Sequence, residues 1–324
     1  MSSQPRVRKS KIAIIGSLMI LLAASCGIDE AVDDFPPETV VNVDTGDSAE
    51  APPPDPECES NGPRKSFEPQ DDTLDSSDDL AAIKEDGKPT VGVAQDTLLF
   101  GYLNGASGEI EGFDIEIAKL VAEELFGSPD AIELVPVQNS ERLPKLVSGE
   151  VELVIRTMTI NCQRWAEIDF STVYYEAGQR ILVRSDSGVE SIADLPSDAK
   201  VCAGTGTTSL ANLANFDVVP VEVTSVPECL VLFQQSGVDA ISTDDTILAA
   251  LAAQDPFAVV VGDFISEEPY GLGISKENKA FTLYVNAVLE KAREGDADST
   301  WQRLYDEWLA DTLGPQTVPS AEYR

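Results

Sequence analysis

Between Val154 and Val183 the chain reads VIRTMTINCQRWAEIDFSTVYYEAGQRILV. An apolar run suited to a buried strand, Val151 to Ile155, gives way to Thr157, Thr159 and Asn161, then Arg164 and IDFS, before a second apolar strand at Ile181 to Val183. Irregular backbone carries free N–H and C=O groups, which are costly unless something polar meets them, so the stretch suits a ligand cleft better than a packed core. Whatever fold the chain adopts must bring strand ends together around this segment.

The surrounding pattern is compatible with that demand. From about Leu80, short β-branched runs alternate with amphipathic helices: Val91 to Ala94, Ile132 to Val137 and Val151 to Ile155 read as strands. Between the first two lies GFDIEIAKLVAEELFG, with Asp114 as N-cap, an apolar stripe of Ile117, Leu120, Val121 and Leu125, and Gly127 where a C-cap glycine belongs. Lys200 to Ala203, Val218 to Val223, Val238 to Ser242 and Ala258 to Val261 repeat the alternation, which argues for parallel α/β lobes. Pro269 to Gly273 reads as a return crossing, with helices over Asn278 to Glu294 and Thr300 to Leu309 finishing the first lobe. Two lobes joined by two crossings make a hinge, and a hinge makes a clamp.

With 324 residues the chain is long enough for about two domains. Its net charge of −35 makes nucleic acid and anionic lipid headgroups poor partners, because both need a basic footprint. The sequence contains no histidine, which removes His-based triads and most zinc sites, and no metal or cofactor is expected.

The N-terminus reads as an export signal. Arg6, Arg8, Lys9 and Lys11 precede an apolar run from Ile12 to Leu22, and Ala23-Ala24-Ser25 leads into Cys26. The run is shorter than the roughly 20 residues of a spanning helix. Cys after small residues resembles a bacterial lipobox, apart from Ala23 where Leu is commoner, and would make Cys26 a lipidated first residue; a plain secretory signal is the alternative. Gly27 to about Pro69 is acidic and proline-rich, a composition suited to an extended tether. The expected division is a signal over 1–25, a linker over 26–75, one lobe from 76–180 with 270–324, and a second over 181–269. Four further cysteines in an exported chain favour two disulfides. Cys202 and Cys229 fall in one lobe and are paired on that ground, leaving Cys58 with Cys162 beside the polar stretch; free buried thiols are the alternative.

The motif MTIxxxRxxxIDFSxxYYxxGQxxLV, with GFDIEIA upstream and VDAISTDD downstream, resembles the bacterial extracellular solute-binding proteins of family 3, amino-acid-binding lipoproteins of ABC importers. The TINCxR and STDDTILA variants look closest to actinobacterial glutamine- and glutamate-binding members, and the resemblance covers roughly residues 57 to 314. It implies a two-lobe, type II periplasmic-binding-protein fold of the α/β class with a two-crossing hinge. A guanidinium can grip a carboxylate through two parallel N–H bonds, and the resemblance gives Arg164 that role toward the ligand α-carboxylate; a structural ion pair with Asp169 is the bland alternative. Gly204 to Ser209 opens a helix whose free N–H groups suit an anion, so Thr207 and Thr208 are further carboxylate contacts, with ordinary helix capping as the alternative. Asp244, after VDAIS, matches the family's ammonium-binding acid, with the Thr157 backbone and Thr159 as partners; Asp245 is either the cap of the next helix or its substitute. Asp96 matches a pocket position, and Leu98, Leu99 and Phe100 are either pocket walls or core.

Arg142 and Arg156 are the cations left over. If either reaches the pocket, a ligand side-chain carboxylate is favoured; if both face solvent, an amide fits equally well. The expected function is binding of glutamate, glutamine or aspartate by a lipid-anchored, extracytoplasmic monomer that delivers it to importer membrane subunits. A sensor that signals to a membrane partner would bind identically. An enzyme resembling the cyclic-acid dehydratases of this fold would need a positioned general acid, for which Glu176 or Glu109 could serve.

Overall fold

A computed structural model describes residues 53–69 and 78–324. The expected signal sequence, Cys26 and most of the expected linker lie outside the described residues. Helix α1 (Pro56–Asn61) starts behind Asp55, whose carboxylate accepts the Glu57 and Cys58 N–H groups. Helix α2 (Asp78–Asp86) leads into β1 (Thr90–Val93), then a small antiparallel sheet of β2 (Asp96–Thr97), β3 (Gly101–Leu103) and β4 (Ile110–Glu111). Helix α3 (Phe113–Phe126), β5 (Glu133–Pro136), α4 (Arg142–Val147), β6 (Leu153–Ile155), α5 (Cys162–Trp165) and β7 (Ile168–Phe170) follow. Then come β8 (Tyr175–Arg184), β9 (Lys200–Gly204), α6 (Thr208–Asn212), β10 (Val219–Val223), α7 (Val226–Gln234), β11 (Ala240–Asp244) and α8 (Asp245–Ala252). The chain ends with β12 (Ala258–Tyr270), β13 (Gly273–Ser275), α9 (Lys279–Arg293), α10 (Thr300–Trp308) and α11 (Ala310–Leu313).

Two five-stranded sheets result, ordered β5-β1-β6-β13-β7 and β10-β9-β11-β8-β12. Each has the same logic. In the first, β1 runs parallel to β5 and β6 while β13 returns antiparallel; in the second, β9 runs parallel to β10 and β11 while β8 returns antiparallel. The hinge is more continuous than the short apolar runs in the sequence suggest. Strands β8 and β12 pair over most of their length, from Arg184 opposite Ala258 to Tyr175 opposite Tyr270, with a register shift between Val261 and Ser266. The expected lobe boundaries at 180/181 and 269/270 fall inside these crossing strands.

The first sheet carries a core of α3, α9 and α10 residues, including Phe113, Val121, Phe281 and Trp301. Phe113, Trp301 and Tyr305 stack edge-on or face-on around Tyr174 and Tyr175, where the chain enters the crossing, and the Trp301 indole donates to the Tyr174 carbonyl. The second sheet buries one apolar cluster on each face.

Both expected disulfides are present: Cys58–Cys162 and Cys202–Cys229, with Cα separations of 5.4 and 5.6 Å. One part of the tether departs from expectation, since residues 53–69 are folded onto the first lobe. Ser66 bridges Tyr323, the Trp165 indole donates to the Pro63 carbonyl, and the Asn286 amide donates to Ser66 and Phe67. Composition pointed away from this because the segment is poor in apolar residues; a covalent bond and specific hydrogen bonds order it. Asp114 is also not the N-cap of α3, a position held by Gly112, and lies buried in the first turn. Replacing Cys58 and Cys162 together by serine should lower unfolding free energy by about 4.7 kcal/mol, the loop-closure value for a loop of ~100 residues. Denaturant titration checks this, and an unchanged midpoint would show that the bond carries no such load.

Candidate ligand-binding cleft

The carboxyl ends of parallel strands from both sheets converge on one cleft, where open α/β sheets place their ligands. Asp96 opens β2 just past the end of β1, Arg156, Thr157 and Thr159 follow β6, Thr207 and Thr208 lie between β9 and the start of α6, and β11 ends in Asp244. All nine residues expected from the sequence to contact ligand line this single cavity, where the space between atoms, open solvent at the mouth included, is about 400 Å³.

Three guanidinium groups dominate it. Arg142, Arg156 and Arg164 are 2%, 3% and 8% exposed. Arg164 is set by α5, whose cap Asn161 accepts the Arg164 N–H at 2.8 Å. Its side chain donates to the Thr159 carbonyl at 2.6 Å and, across the cleft, to the Gly206 carbonyl at 3.4 Å. Arg142 donates to the carbonyls of Asn139 (2.9 Å), Arg156 (3.2 Å) and Gly206 (3.1 Å). Arg156 is held differently: it donates to the Val137 carbonyl, the Asn139 side chain and, at 3.1 Å, to Asp96. Burial pulls the Arg164 pKa down to about 10 against the opposing charges of Glu268 and Asp244. Burial, then the neighbouring Arg164 and Arg156, lowers Arg142 as well. Buried cations beside one another are unfavourable without an anion, so the cluster is poised for one.

Asp169 does not pair with Arg164; the charges around it are those of Lys276, Arg324 and Lys279. Asp96 also accepts the Ser225 hydroxyl at 2.5 Å from the opposite lobe. Leu98, Leu99 and Phe100 are not cavity walls. Phe100 is fully buried in the first lobe's core and Leu99 packs on that core, because the turn after β2, with Leu99 at φ 76°, directs them inward.

The acidic side separates two adjacent aspartates. Asp245 accepts the N–H groups of Gly178 and Thr246 and serves the backbone. Asp244 is buried, accepts the Tyr270 hydroxyl at 2.5 Å and lies 3.4 Å from the Ser209 hydroxyl. Burial, then the charge of Glu268, pushes its pKa up to about 7. Thr157 has φ +40°, unusual for a β-branched residue. Its N–H donates to Asp114 at 3.0 Å, and Asp114 also accepts the Tyr174 hydroxyl at 2.7 Å. Thr207 is occupied with capping: it donates to the Gly204 carbonyl and accepts the Leu210 N–H. Sequence reading missed Asn139, Ser209 and Thr243 of the lining and, behind it, Glu268, which is 1% exposed and accepts the hydroxyls of both Thr159 and Thr208 at 2.6 Å. Its only sequence signal is a pair of acids ahead of Pro269-Tyr270-Gly271, on a strand whose length the pattern did not reveal. Glu176 and Glu109 lie outside the cavity: Glu176 is bound by Arg64, and Glu109 is exposed.

Residues 90–311 match the family model of bacterial extracellular solute-binding proteins, family 3. The chain belongs to this family. It is 36% identical over 236 residues to the ABC transporter glutamine-binding protein GlnH of Bacillus subtilis, covering 72% of this chain and 85% of that protein. It is 31% identical over 254 residues to the glutamate-binding protein GluB of Corynebacterium glutamicum, covering 74% and 82%. Among solved structures, an L-cysteine solute receptor of Neisseria gonorrhoeae superposes with a TM-score of 0.70 at 26% identity, covering 74% of this chain and 99% of that one. An ancestral arginine-binding protein bound to glutamine gives 0.64 at 31%, covering 71% and 99%. The architecture is thus the two-lobe, type II binding-protein fold.

The raised pKa of Asp244 fixes the sign of one pH effect. An unfolded aspartate ionises near 3.8 while the folded one holds its proton to about 7, so Asp244 costs stability progressively as pH rises through that window. Urea titrations of the ligand-free protein should show Asp244→Asn gaining stability relative to the native chain between about pH 4 and 7. A pH-independent difference would mean that Asp244 ionises normally.

Proposed function

We propose that the chain is an extracytoplasmic receptor that closes its lobes on an amino acid with a polar or acidic side chain and presents it to the membrane subunits of an ABC importer. The observation that carries this reading is the polarity of the closed cleft, lined by three buried guanidinium groups and by buried Asp244, with buried Glu268 behind Thr159 and Thr208. Such a site matches a zwitterion. Arg164 takes the α-carboxylate, supported by the backbone of Thr207 and Thr208, and Asp244 takes the ammonium with the Thr157 carbonyl and the Thr159 hydroxyl. Exclusion of water on closure strengthens each of these contacts.

The side-chain preference follows from the division of labour between the other two arginines. Arg156 already meets a carboxylate, Asp96, whereas the hydrogen bonds of Arg142 go to backbone carbonyls alone among the described residues. A ligand carboxylate would complete Arg142, which favours glutamate or aspartate over glutamine. The names of the Bacillus and Corynebacterium relatives point to the same small set of ligands. Cys26 would tether the receptor, as a monomer, to the outer face of the membrane.

A thermal-shift screen against the twenty amino acids is the direct test. At a hundredfold excess over Kd, a bound ligand adds about 2.7 kcal/mol to stability. Glutamate, aspartate or glutamine should raise the melting temperature of the native chain, and Arg164→Ala should abolish the rise while the unliganded melt persists. Arg142→Gln should move the ranking toward glutamine. No shift with any amino acid would remove the reading. Separately, Cys26→Ser should release the chain into the medium, and retained membrane association would refute the anchor.

A further inference from the structure

Glu268 was not among the expected ligand contacts, and its surroundings assign it a distinct task. It lies on β12, opposite Ala177 in the paired crossing strands, and is almost fully buried. One carboxylate oxygen accepts two hydroxyls, Thr159 from the first lobe and Thr208 from the second, each at 2.6 Å. The other accepts Ser266 at 2.5 Å. The two threonine oxygens are 3.4 Å apart.

A hydroxyl has one proton and two lone pairs. Both hydroxyls donate to Glu268, so their protons point toward it and their lone pairs point away from it. Thr159 and Thr208 both line the cavity that holds Asp244. That wall of the cavity therefore offers acceptors: the Asp244 carboxylate and two hydroxyl oxygens whose protons are already committed. A primary ammonium has three donors and no acceptor, and it matches this wall. A neutral hydroxyl at the same ligand position has only one proton to give and would leave acceptors unmet, which is costly in a buried site.

Resting on the amino-acid reading above, we infer that Glu268 is a positioning residue that selects an α-ammonium by fixing the hydroxyl protons of Thr159 and Thr208 away from the ligand. It acts through the two threonines without touching the ligand. In Glu268→Gln the side-chain NH₂ becomes a donor, takes a threonine lone pair and turns that hydroxyl proton toward the ammonium.

The test compares L-glutamate with L-2-hydroxyglutarate, which differ at the α-substituent, by calorimetric titration of the purified full chain. The native chain should bind glutamate and discriminate strongly against the hydroxy acid. Glu268→Gln should weaken glutamate at least tenfold while changing the hydroxy acid by less than threefold, narrowing the ratio. Thr159→Val, which removes one of the oriented hydroxyls without adding a donor, should narrow it too, and adding Glu268→Gln to it should cost less than Glu268→Gln costs alone. If Glu268→Gln fails to fold by circular dichroism, Thr159→Val and Thr208→Val decide, each expected to narrow the ratio at least threefold. An unchanged ratio, including equal loss for both ligands, would overturn the inference and leave Glu268 as a lobe-closing contact only, with the amino-acid reading intact. Failure of the native chain to bind glutamate, aspartate or glutamine would instead remove the amino-acid reading, and this inference with it.

Discussion

Two arginines of one lobe donate to a single carbonyl of the other: Arg142 and Arg164 both reach Gly206. The geometry depends on Gly206 twice over. Its φ of +76° is one that side-chain-bearing residues rarely adopt, and a Cβ there would come within 2.8 Å of Ser140 Cα. Close approach of the lobes is thereby linked to the burial of two cations, whose donors are only partly satisfied by backbone oxygens. The cleft is left rich in positive charge inside a chain that is strongly acidic overall, so the attraction for an anionic group is local and short-ranged.

The opposite wall answers with buried acids, and the two walls are built by different means. The cations come from α4, β6 and α5 of the first lobe, set by a helix cap and by short loops. The acids come from β11 and from β12, the second of the crossing strands, so one acid moves with the second lobe and the other belongs to the hinge. This division gives a physical basis for coupling closure to binding, because Thr159 and Thr208 meet on the hinge acid only when the lobes are together. Strain is stored in the same place: Thr157 holds a positive φ through the Asp114 carboxylate, itself buried far enough to have its pKa raised to about 7.

The N-terminal segment reaches the site by a separate route. The Cys58–Cys162 bond attaches it two residues before Arg164, and Trp165, next in sequence, sits between Phe67 and Phe170 with the Arg324 guanidinium over its ring. Arg164 is therefore buttressed from behind by both ends of the folded chain. Lys276 adds an ion pair to Asp55 at 3.4 Å across the same face.

Much of this was legible from residue order. The 3.6-residue stripe of α3 with Gly127 at its end, the repeated strand-helix alternation and the polar interruption after Ile155 are local properties, and local propensity and periodicity report them directly. That nine expected residues line one cavity was legible for a related reason: they sit at or near strand ends and helix starts, where the sequence changes character. What only the tertiary structure decided are the features that depend on long-range partners. Asp114 looks like a cap but is drawn inward by Tyr174 and Thr157, residues about forty to sixty positions away. Leu99 and Phe100 could have been pocket walls or core, and a turn takes them into the core. Asp244 and Asp245 are adjacent and chemically identical, and the placement of Tyr270 and Gly178 gives them different partners. Glu268 had no local signal beyond the pair of acids ahead of Pro269, because its meaning lies in two hydroxyls from opposite lobes, brought together by the pairing of strands β8 and β12.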